Sequence, residues 1–248
     1  MSYSRISEEL LREYGVRTSK GQLSYWLRGI HEPLGSANRF AAEPTPELAY
    51  VIGVKLGDGS INRRGYNRRI RLQCIDLDFV LEFDRCLSKV LGTRPHKPWF
   101  DEKRGEIHIE ARSVLLYEFL KRSWEEMVKW ISHCPDCISM FLRGFFDSEG
   151  SVSKEGFVTC YNSNFNLLRF VQSLLLQSFA IESVGPRLCT RAGTEISNLG
   201  RTYLRRRDVY VIRVRAHSLA RFRSNVGFAI KRKLDRLDAR LEIHGIAK

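Results

Sequence analysis

Two carboxylates in this chain of 248 residues stand at the end of the same sequence phrase. Asp58 closes the apolar stretch 51–60, VIGVKLGDGS, and Glu149 occupies the matching place in 141–151, FLRGFFDSEGS, at an offset of 91 residues. A carboxylate at a helix C-terminus faces the negative end of the helix dipole, so two of them brought together would repel each other without a cation between them. Carboxylates and free helix-end carbonyls are oxygen ligands that suit Mg²⁺. The repeated phrase therefore indicates a metal site shared by both copies.

Small residues are spaced four apart in each copy, at Gly53 and Gly57 in the first and at Gly144 and Ser148 in the second. Residues four apart share one face of a helix, so each motif helix carries a stripe without bulky side chains. Two such stripes allow two helix backbones to approach closely. We therefore expect the motif helices to pack against each other and to bring the two carboxylates together.

The duplication extends beyond the two phrases. CIDLDF at 74–79 matches CYNSNF at 160–165 with an offset of 86, and the triplet 111–113 matches 216–218 with an offset of 105. Loops of different length account for the changes in offset. The order of helical and alternating patterns predicts an α+β fold, a pseudo-two-fold duplication of an αββαββα unit with two antiparallel sheets and the motif helices at the centre.

The domain boundaries follow from composition and periodicity. Residues 1–34 contain two short helical patterns around a glycine, which is typical of a helix-turn-helix-like segment or of a helical hairpin that packs on the main domain. The stretch that follows contains Pro and Gly and predicts a linker at 35–46. The main domain would comprise 47–248, with a first repeat at about 47–130, a second repeat at about 135–227 and a C-terminal helix at about 228–244.

The charge is strongly positive and unevenly distributed. The chain carries 41 Lys and Arg against 28 Asp and Glu, a net charge of +13, and residues 185–248 hold 16 basic and 5 acidic residues. Such a basic surface is typical of a protein that binds a polyanion, although solubility alone or a membrane surface would also explain it. No apolar run is long enough for a membrane span, and the polar N-terminus lacks the apolar centre of a secretory signal. We expect an intracellular protein without a membrane partner.

Basic and polar side chains alternate with apolar ones along the predicted strands. In RRIRLQC, at 68–74, Ile70 and Leu72 alternate with arginines and a glutamine, so one sheet face would cover helices and the other would present hydrogen-bonding groups. Arg and Gln on a β-ribbon can contact base edges of double-stranded DNA, and a merely solvated face is the alternative for any one residue. The candidates for DNA contact are Arg63, Arg64, Arg69, Arg71, Gln73, Lys154, Thr159, Tyr161, Arg187, Arg191, Arg213 and Arg215.

Six cysteines are scattered along the chain, as expected for reduced thiols. The sequence HCPDC at 133–137 contains a CxxC pair, which could begin a zinc site. No second CxxC or paired histidine motif follows it, so the sequence favours structural cysteines over a metal site there.

Together these residues resemble the LAGLIDADG homing endonucleases. VIGVKLGDG (51–59) and LRGFFDSEG (142–150) both fit the nine-residue signature of that family, and NVGFAIKRKLDRL (225–237) is similar to a stretch common in its members. The resemblance covers about 47–248 and implies a single-chain, monomeric enzyme whose two sheets form a DNA-binding saddle. It also implies a double-strand break in a long DNA target by Mg²⁺-dependent phosphodiester hydrolysis, in a protein encoded within an intron.

The resemblance assigns roles to the signature residues. Asp58 and Glu149, at the eighth position of each signature, would be the catalytic acids and would share two or three Mg²⁺ ions. Gly57 and Ser148 would lend backbone carbonyls to the metals. The sixth position is not the essential acid in the family, so Asp147 is expected to matter far less than the two acids.

Further polar residues are candidates by their position after each signature or near the C-terminus. A positive side chain near the scissile phosphate would stabilise charge, and a glutamine could orient water. These catalytic candidates are Gln73, Lys154, Lys231 and Lys233.

Two other functions fit the same sequence. An RNA-binding maturase that helps its intron to splice would use the same fold and basic surface without needing the acids. A DNA-binding regulator could combine a decayed endonuclease domain with the N-terminal segment. The presence of both carboxylates favours the endonuclease, because nothing else would keep a repulsive pair at the helix interface.

Overall fold

The computed structural model of the chain describes all residues except 1, 15, 31–39, 66, 199–200 and 244–248. These residues form two compact units, Met1–Arg39 and Phe40–Lys248. The linker predicted at 35–46, the end of the segment predicted at 1–34 and the last residue of the helix predicted at 228–244 lie partly outside the described residues.

The first unit contains two helices, α1 (Tyr3–Tyr14) and α2 (Lys20–Leu27). Ser19 begins α2 with a reciprocal cap. Its hydroxyl accepts a hydrogen bond from the N–H of Gln22 at 3.2 Å, and the side chain of Gln22 accepts one from the N–H of Ser19 at 2.9 Å. This arrangement satisfies two N–H groups that the helix itself leaves without partners.

The first repeat of the second unit follows the predicted order of elements. Thr45 caps the signature helix through its hydroxyl, and Pro46 takes the first helical position, where the missing N–H has no helical partner to lose. The elements are α3 (Pro46–Leu56), β1 (Ser60–Arg64), β2 (Asn67–Cys74), α4 (Leu77–Leu91), β3 (Trp99–Asp101), β4 (Glu106–Arg112) and α5 (Val114–Leu120), followed by a 3-10 turn (Glu125–Met127) and α6 (Val128–Ile131).

The second repeat has the same order with one insertion. Its elements are α7 (Pro135–Glu149), β5 (Gly150–Val152), β6 (Val158–Asn162), α8 (Phe165–Phe179), β7 (Ser183–Thr190), β8 (Glu195–Asn198), β9 (Arg201–Leu204), β10 (Val209–Val214), a 3-10 turn (Ala216–Ser218) and α9 (Leu219–Asn225), and α10 (Lys231–Ile243) follows. The small β8–β9 hairpin lies where the offset between the copies rises from 86 to 105. It therefore accounts for that change.

Each repeat forms a four-stranded antiparallel sheet, in the order β1-β2-β4-β3 and β5-β6-β10-β7. The register of the central strands agrees with the sequence offsets. Gln73 lies opposite His108, and the residues equivalent to this pair, Thr159 and Arg213, also lie opposite each other. The predicted α+β duplication is therefore confirmed.

One face of each sheet covers the helices, as the alternation predicts. Ile70 and Leu72 of β2 are buried in the first repeat, and Val158 and Cys160 of β6 are buried in the second. These side chains join α3, α4, α7 and α8 in one apolar core. The opposite faces carry the polar side chains and remain available to a partner.

The helices α3 and α7 pack directly on each other through glycines. A Cβ built on Gly53 would lie 2.9 Å from the backbone nitrogen of Phe145, and one built on Gly144 would lie 2.5 Å from the carbonyl oxygen of Tyr50. Each glycine thus faces the backbone of the other helix, and no side chain fits between them. The predicted packing of the two small-residue stripes is confirmed.

The C-terminal helix α10 joins both repeats. At its start, the Asp78 carboxylate accepts a hydrogen bond from the N–H of Lys231, and Arg232 forms a bidentate pair with Asp76 at 2.6 and 2.7 Å. Further along, Arg240 donates to the carbonyl of Glu155 at 2.7 Å in the β5–β6 turn. The first contacts belong to the first repeat and the last to the second, so α10 holds the two together.

Among the described residues, no helix combines the length and the apolar composition that a membrane crossing requires.

We predict that Gly53→Ala lowers the free energy of unfolding of the second unit by about 3 kcal/mol, the upper end of the usual range for overpacking. The reason is that the new methyl would lie 2.9 Å from the Phe145 nitrogen, in a backbone that is itself packed in the core. Urea unfolding followed by tryptophan fluorescence measures the change. Gly21→Ala in α2 is the control, because a Cβ there meets nothing closer than Oγ of Ser19 at 3.9 Å. Equal and small effects of both substitutions would contradict the close helix packing.

Candidate active site

The two signature acids lie where α3 and α7 end side by side. Gly57 caps α3, so Asp58 lies in the turn before β1, whereas α7 continues to Glu149 itself. A Cβ placed on Gly57 would meet the Ser148 side chain and lie 3.0 Å from Cγ of Glu149. The missing side chain at Gly57 therefore lets the two helix ends, and with them the carboxylates, come together.

The pKa values of both acids lie above their ordinary range. Enclosure by protein and then the negative charge of Asp58 raise the pKa of Glu149 to about 7, while Asn162 and Lys233 act in the opposite direction. Loss of surrounding water raises the pKa of Asp58 as well, although part of its side chain is exposed, and Lys233 opposes that shift. The site thus disfavours two negative charges, and a nearby cation favours them.

Lys233 of α10 supplies such a cation from the protein itself. Its side chain is only 5% exposed, and Nζ donates hydrogen bonds to the carbonyls of Asp147 at 2.5 Å and Phe146 at 3.2 Å. Burial lowers the pKa of Lys233, and the charges of Asp147 and Asp58 raise it. Lys233 therefore caps the negative end of α7 and also stabilises the charged forms of the two acids.

Asp147 has a structural role that the sequence analysis missed. It is 1% exposed, and its carboxylate accepts hydrogen bonds from the Tyr50 hydroxyl at 2.9 Å and from the N–H of Ala229 at 2.9 Å. Burial raises its pKa to about 7, against the effect of these hydrogen bonds. Asp147 thus connects α3, α7 and the segment before α10. The prediction that it matters far less than the two acids can apply only to the chemistry.

The strand register determines which side chain accompanies each acid. Ser60 lies opposite Arg71, and continuing this ladder puts Gln73 level with Asp58. In the second repeat Gly150 lies opposite Cys160, so Tyr161 is level with Glu149. The second register is two residues further along than the sequence offsets give, because α7 runs on to its acid and α3 stops before its own.

Asn162 is a site residue that the sequence analysis did not identify. Its Nδ2 donates a hydrogen bond to Oε1 of Glu149 at 2.9 Å. The match between 74–79 and 160–165 equates Asn162 with Asp76, which instead pairs with Arg232. A polar residue at this position in both copies was the available signal, and the different partners explain why it was ambiguous.

Two of the lysine candidates lie away from the acids. Lys154 lies in the exposed β5–β6 turn, at the end of the hairpin opposite to Glu149. Lys231 is exposed at the start of α10, and its backbone N–H is directed at Asp78. Of the four further candidates, the structure brings only Gln73 and Lys233 to the acids. The prediction that Lys154 and Lys231 lie near them is not supported, because a turn and an exposed helix face carry them away.

The outward face of the first sheet holds its arginines in place. The guanidinium of Arg69 lies 3.3 Å from the Glu110 carboxylate. Arg71 approaches Nδ1 of the buried His108 at 2.6 Å and lies over the ring of Trp99 at 5.6 Å from its centre. Basic, acidic and aromatic groups are thus fixed beside one another on this face.

Arg63 and Arg64 separate at the tip of the β1–β2 hairpin. Side chains alternate along a strand, so Arg64 shares the outward face with Arg69 and Arg71, whereas Arg63 lies opposite Arg68 on the other side. The prediction of a DNA contact therefore fits Arg64 better than Arg63.

The outward face of the second sheet carries Thr159, Tyr161, Arg187 and Arg213. Thr159 lies opposite Arg213, and Val211 lies between Tyr161 and Arg187 in the ladder. The guanidinium of Arg213 stacks on the Phe157 ring at 3.9 Å from its centre. These residues therefore share one surface, as predicted.

The remaining second-sheet candidates lie at its margins. Arg191 is exposed just after β7, and Arg215 lies beyond the end of β10, 3.5 Å from the Glu182 carboxylate. A groove of about 420 Å³ borders Glu149 and is also lined by Tyr161, Asn162 and Arg205. Arg205 lies in the segment that follows the inserted hairpin and was not predicted as a site residue.

Comparisons with known proteins agree with this geometry. A family model described as a LAGLIDADG-like domain matches residues 136–227, which form the second repeat. The uncharacterized protein MJ0398 of Methanocaldococcus jannaschii is 33% identical over 246 residues, which cover 97% of this chain and 88% of that protein.

Two solved proteins share the fold. The homing endonuclease I-DmoI in complex with DNA and Ca superimposes with a TM-score of 0.53 and 15% identity, over 79% of this chain and all of that one. Full-length DUF199/WhiA from Thermatoga maritima gives a TM-score of 0.53 with 14% identity, over 84% of this chain and 64% of that one. With two signature helices packed at the centre of a duplicated αββαββα unit, the chain belongs to the LAGLIDADG family.

Proposed function

We propose that this chain is a site-specific homing endonuclease, encoded within an intron, that makes a double-strand break in a long DNA target. The observation that carries the proposal is the pairing of Asp58 and Glu149 at the adjoining ends of α3 and α7. Both acids belong to one chain, so a monomer would contain a complete site. I-DmoI, which has the same fold, has been crystallised with its target DNA in the presence of Mg.

The donor set fits Mg²⁺. Two carboxylates meet at helix ends, where backbone carbonyls are available, and their raised pKa values reflect a local deficit of positive charge. Asp58 and Glu149 would hold the ions, with the carbonyls of Gly57 and Ser148 as further oxygen ligands. When bound, Mg²⁺ would make water a stronger nucleophile and neutralise charge on the phosphate.

The surrounding side chains would prepare these acids. Lys233 favours their charged forms and lies too deep to contact a base. Asn162 holds one oxygen of Glu149, which fixes the direction of the other. Gln73 lies level with Asp58 and could orient a water molecule there. The two acids therefore have different neighbours, although they occupy equivalent positions.

The two sheet faces would bind the DNA duplex. Arg64, Arg69, Arg71 and Gln73 line the first, and Thr159, Tyr161, Arg187 and Arg213 line the second. Contacts from Glu110, His108 and Phe157 hold several of these side chains before DNA arrives. Such preorganisation lowers the entropic cost of binding.

Cleavage of DNA by the purified chain tests the proposal. The substrate is a plasmid that carries the uninterrupted insertion locus of the reading frame. We expect linearisation with Mg²⁺ that stops on addition of chelator. Asp58→Asn and Glu149→Gln should each lower the rate by at least about a thousandfold but retain DNA binding, because each removes one oxygen ligand and leaves the basic faces intact.

The matched control is Asp235→Asn, an exposed acid on α10, which should cleave like the wild type. Unchanged cleavage by the two acid variants would contradict their role. Tight binding of the wild type to DNA without cleavage would favour the DNA-binding regulator. Preferential binding to the intron RNA would favour the maturase.

Lys233 should matter for both stability and rate. Lys233→Met would leave the buried Asp147 carbonyl without its donor, so we expect the free energy of unfolding to fall by about 2 kcal/mol. We also expect cleavage to slow by about a hundredfold at a temperature where the variant is folded, because a preorganised charge is lost. Lys231→Met is the control, since that side chain is exposed. Equal effects of both substitutions would refute the role of Lys233.

Salt dependence tests the proposed DNA faces. Arg64→Ala and Arg187→Ala should each weaken binding and reduce the slope of log affinity against log salt by about one, as expected for a lost phosphate contact. The binding is measured without Mg²⁺, so that the DNA stays intact. Arg169→Ala, an exposed residue of α8 on the helix-covered side of the second sheet, should leave the slope unchanged. A slope that responds only to Arg169→Ala would place the DNA elsewhere.

A further inference from the structure

A second cluster of metal-ligating side chains lies at the other end of α7 from Glu149. His133, Cys134 and Cys137 each offer one ligand atom, and these atoms all lie within 4.8 Å of one another. The two sulfurs are 3.2 Å apart. Cys134 is the N-cap of α7 and accepts a hydrogen bond from the N–H of Cys137 at 3.4 Å.

We propose that His133, Cys134 and Cys137 form a binding site for one thiophilic divalent cation of the zinc type, separate from the Mg²⁺ site of the acids. The adjacent histidine supplies the third ligand that the CxxC pair lacks when it is considered alone. The sequence by itself favours structural cysteines here, because no second CxxC or paired histidine motif is present.

The distances suit such an ion. Zn–S bonds of about 2.3 Å in a tetrahedral site separate two sulfurs by about 3.8 Å. The observed separation of 3.2 Å therefore requires a small outward movement of the thiols. His133 is exposed and Cys134 is half-buried, so the cation has access from solvent. Three protein ligands leave the fourth position to water.

Charge balance also favours a divalent cation. Two thiolates and a neutral imidazole around a divalent ion carry no net charge, which suits the fully buried position of Cys137. Without an ion the two thiols differ. The pKa of Cys134 is lowered by the N–H of Cys137 and by His133, whereas burial and Cys134 raise the pKa of Cys137 to about 12. Binding would therefore release a proton from Cys137.

The two ends of α7 select different ions. The twelve residues from Cys137 to Glu149 span about 18 Å of helix, so the sites do not share ligands. Thiolate and imidazole favour zinc-type ions, whereas carboxylate and carbonyl oxygens favour Mg²⁺. A cation bound at His133 would tie the segment after α6 to the first turn of α7, and so fix the junction between the two repeats.

Cobalt(II) is the probe that tests this site. The reduced, metal-free full-length chain is titrated with Co²⁺ while thiolate-to-cobalt charge-transfer absorption is recorded, and Zn²⁺ is then added in competition. We expect saturation at one Co²⁺ per chain and displacement by Zn²⁺. Zn²⁺ should also raise the melting temperature of the wild type. The acids cannot produce this absorption, because it requires sulfur ligands, so the result is independent of the proposed nuclease function.

Three variants locate the ligands. Cys134→Ser should lose the charge-transfer band and the thermal shift, and His133→Ala should weaken Co²⁺ binding by at least about tenfold. Cys189→Ser, at an exposed thiol outside the cluster, should bind like the wild type. Both test positions are partly or fully exposed, and circular dichroism verifies that the variants fold. Absence of the band in the wild type, or its persistence in Cys134→Ser, would overturn the proposal. So would a protein that forms only a Cys134–Cys137 disulfide and binds no Co²⁺ after reduction.

Discussion

The close packing of α3 on α7 is the constraint on which the rest of the structure depends. Gly53 and Gly144 face the opposite backbone, and the absence of a side chain at Gly57 leaves room for Ser148 and Glu149. Because both helices end at the same place, their negative dipole ends and their two acids meet there. The same contact that completes the core therefore concentrates negative charge at one point.

The protein offsets this charge with a single residue outside the duplication. Lys233 lies on α10, which has no counterpart in the first repeat, and it reaches the carbonyls at the end of α7. Contacts of α10 with Asp76 and Asp78 of the first repeat and with the β5–β6 turn of the second hold that helix in place. One cation thus serves both acids, and the pseudo-symmetry of the site ends at this lysine.

The acids consequently differ in surroundings although their sequence contexts match. Asp58 follows the end of its helix and is partly exposed, whereas Glu149 is the last residue of its helix and is held by Asn162. Enclosure and the charge of Asp58 raise the pKa of Glu149 to about 7. If each acid acts on one DNA strand, the two strands would meet different environments.

The sequence by itself determined the duplication, the order of elements, the glycine interface and the two acids, because periodicity, spacing and residue type are local properties repeated at fixed offsets. It also indicated which strand faces are polar, since side chains alternate along a strand. Only the tertiary structure decided that Lys233 and not Lys231 lies at the acids, that Asp147 is a buried hydrogen-bond acceptor, and that Asn162 holds Glu149. These assignments depend on strand register and on the path of α10 across both repeats. Contacts between residues more than 80 positions apart, such as Lys233 with Asp147, leave no periodic trace in the sequence.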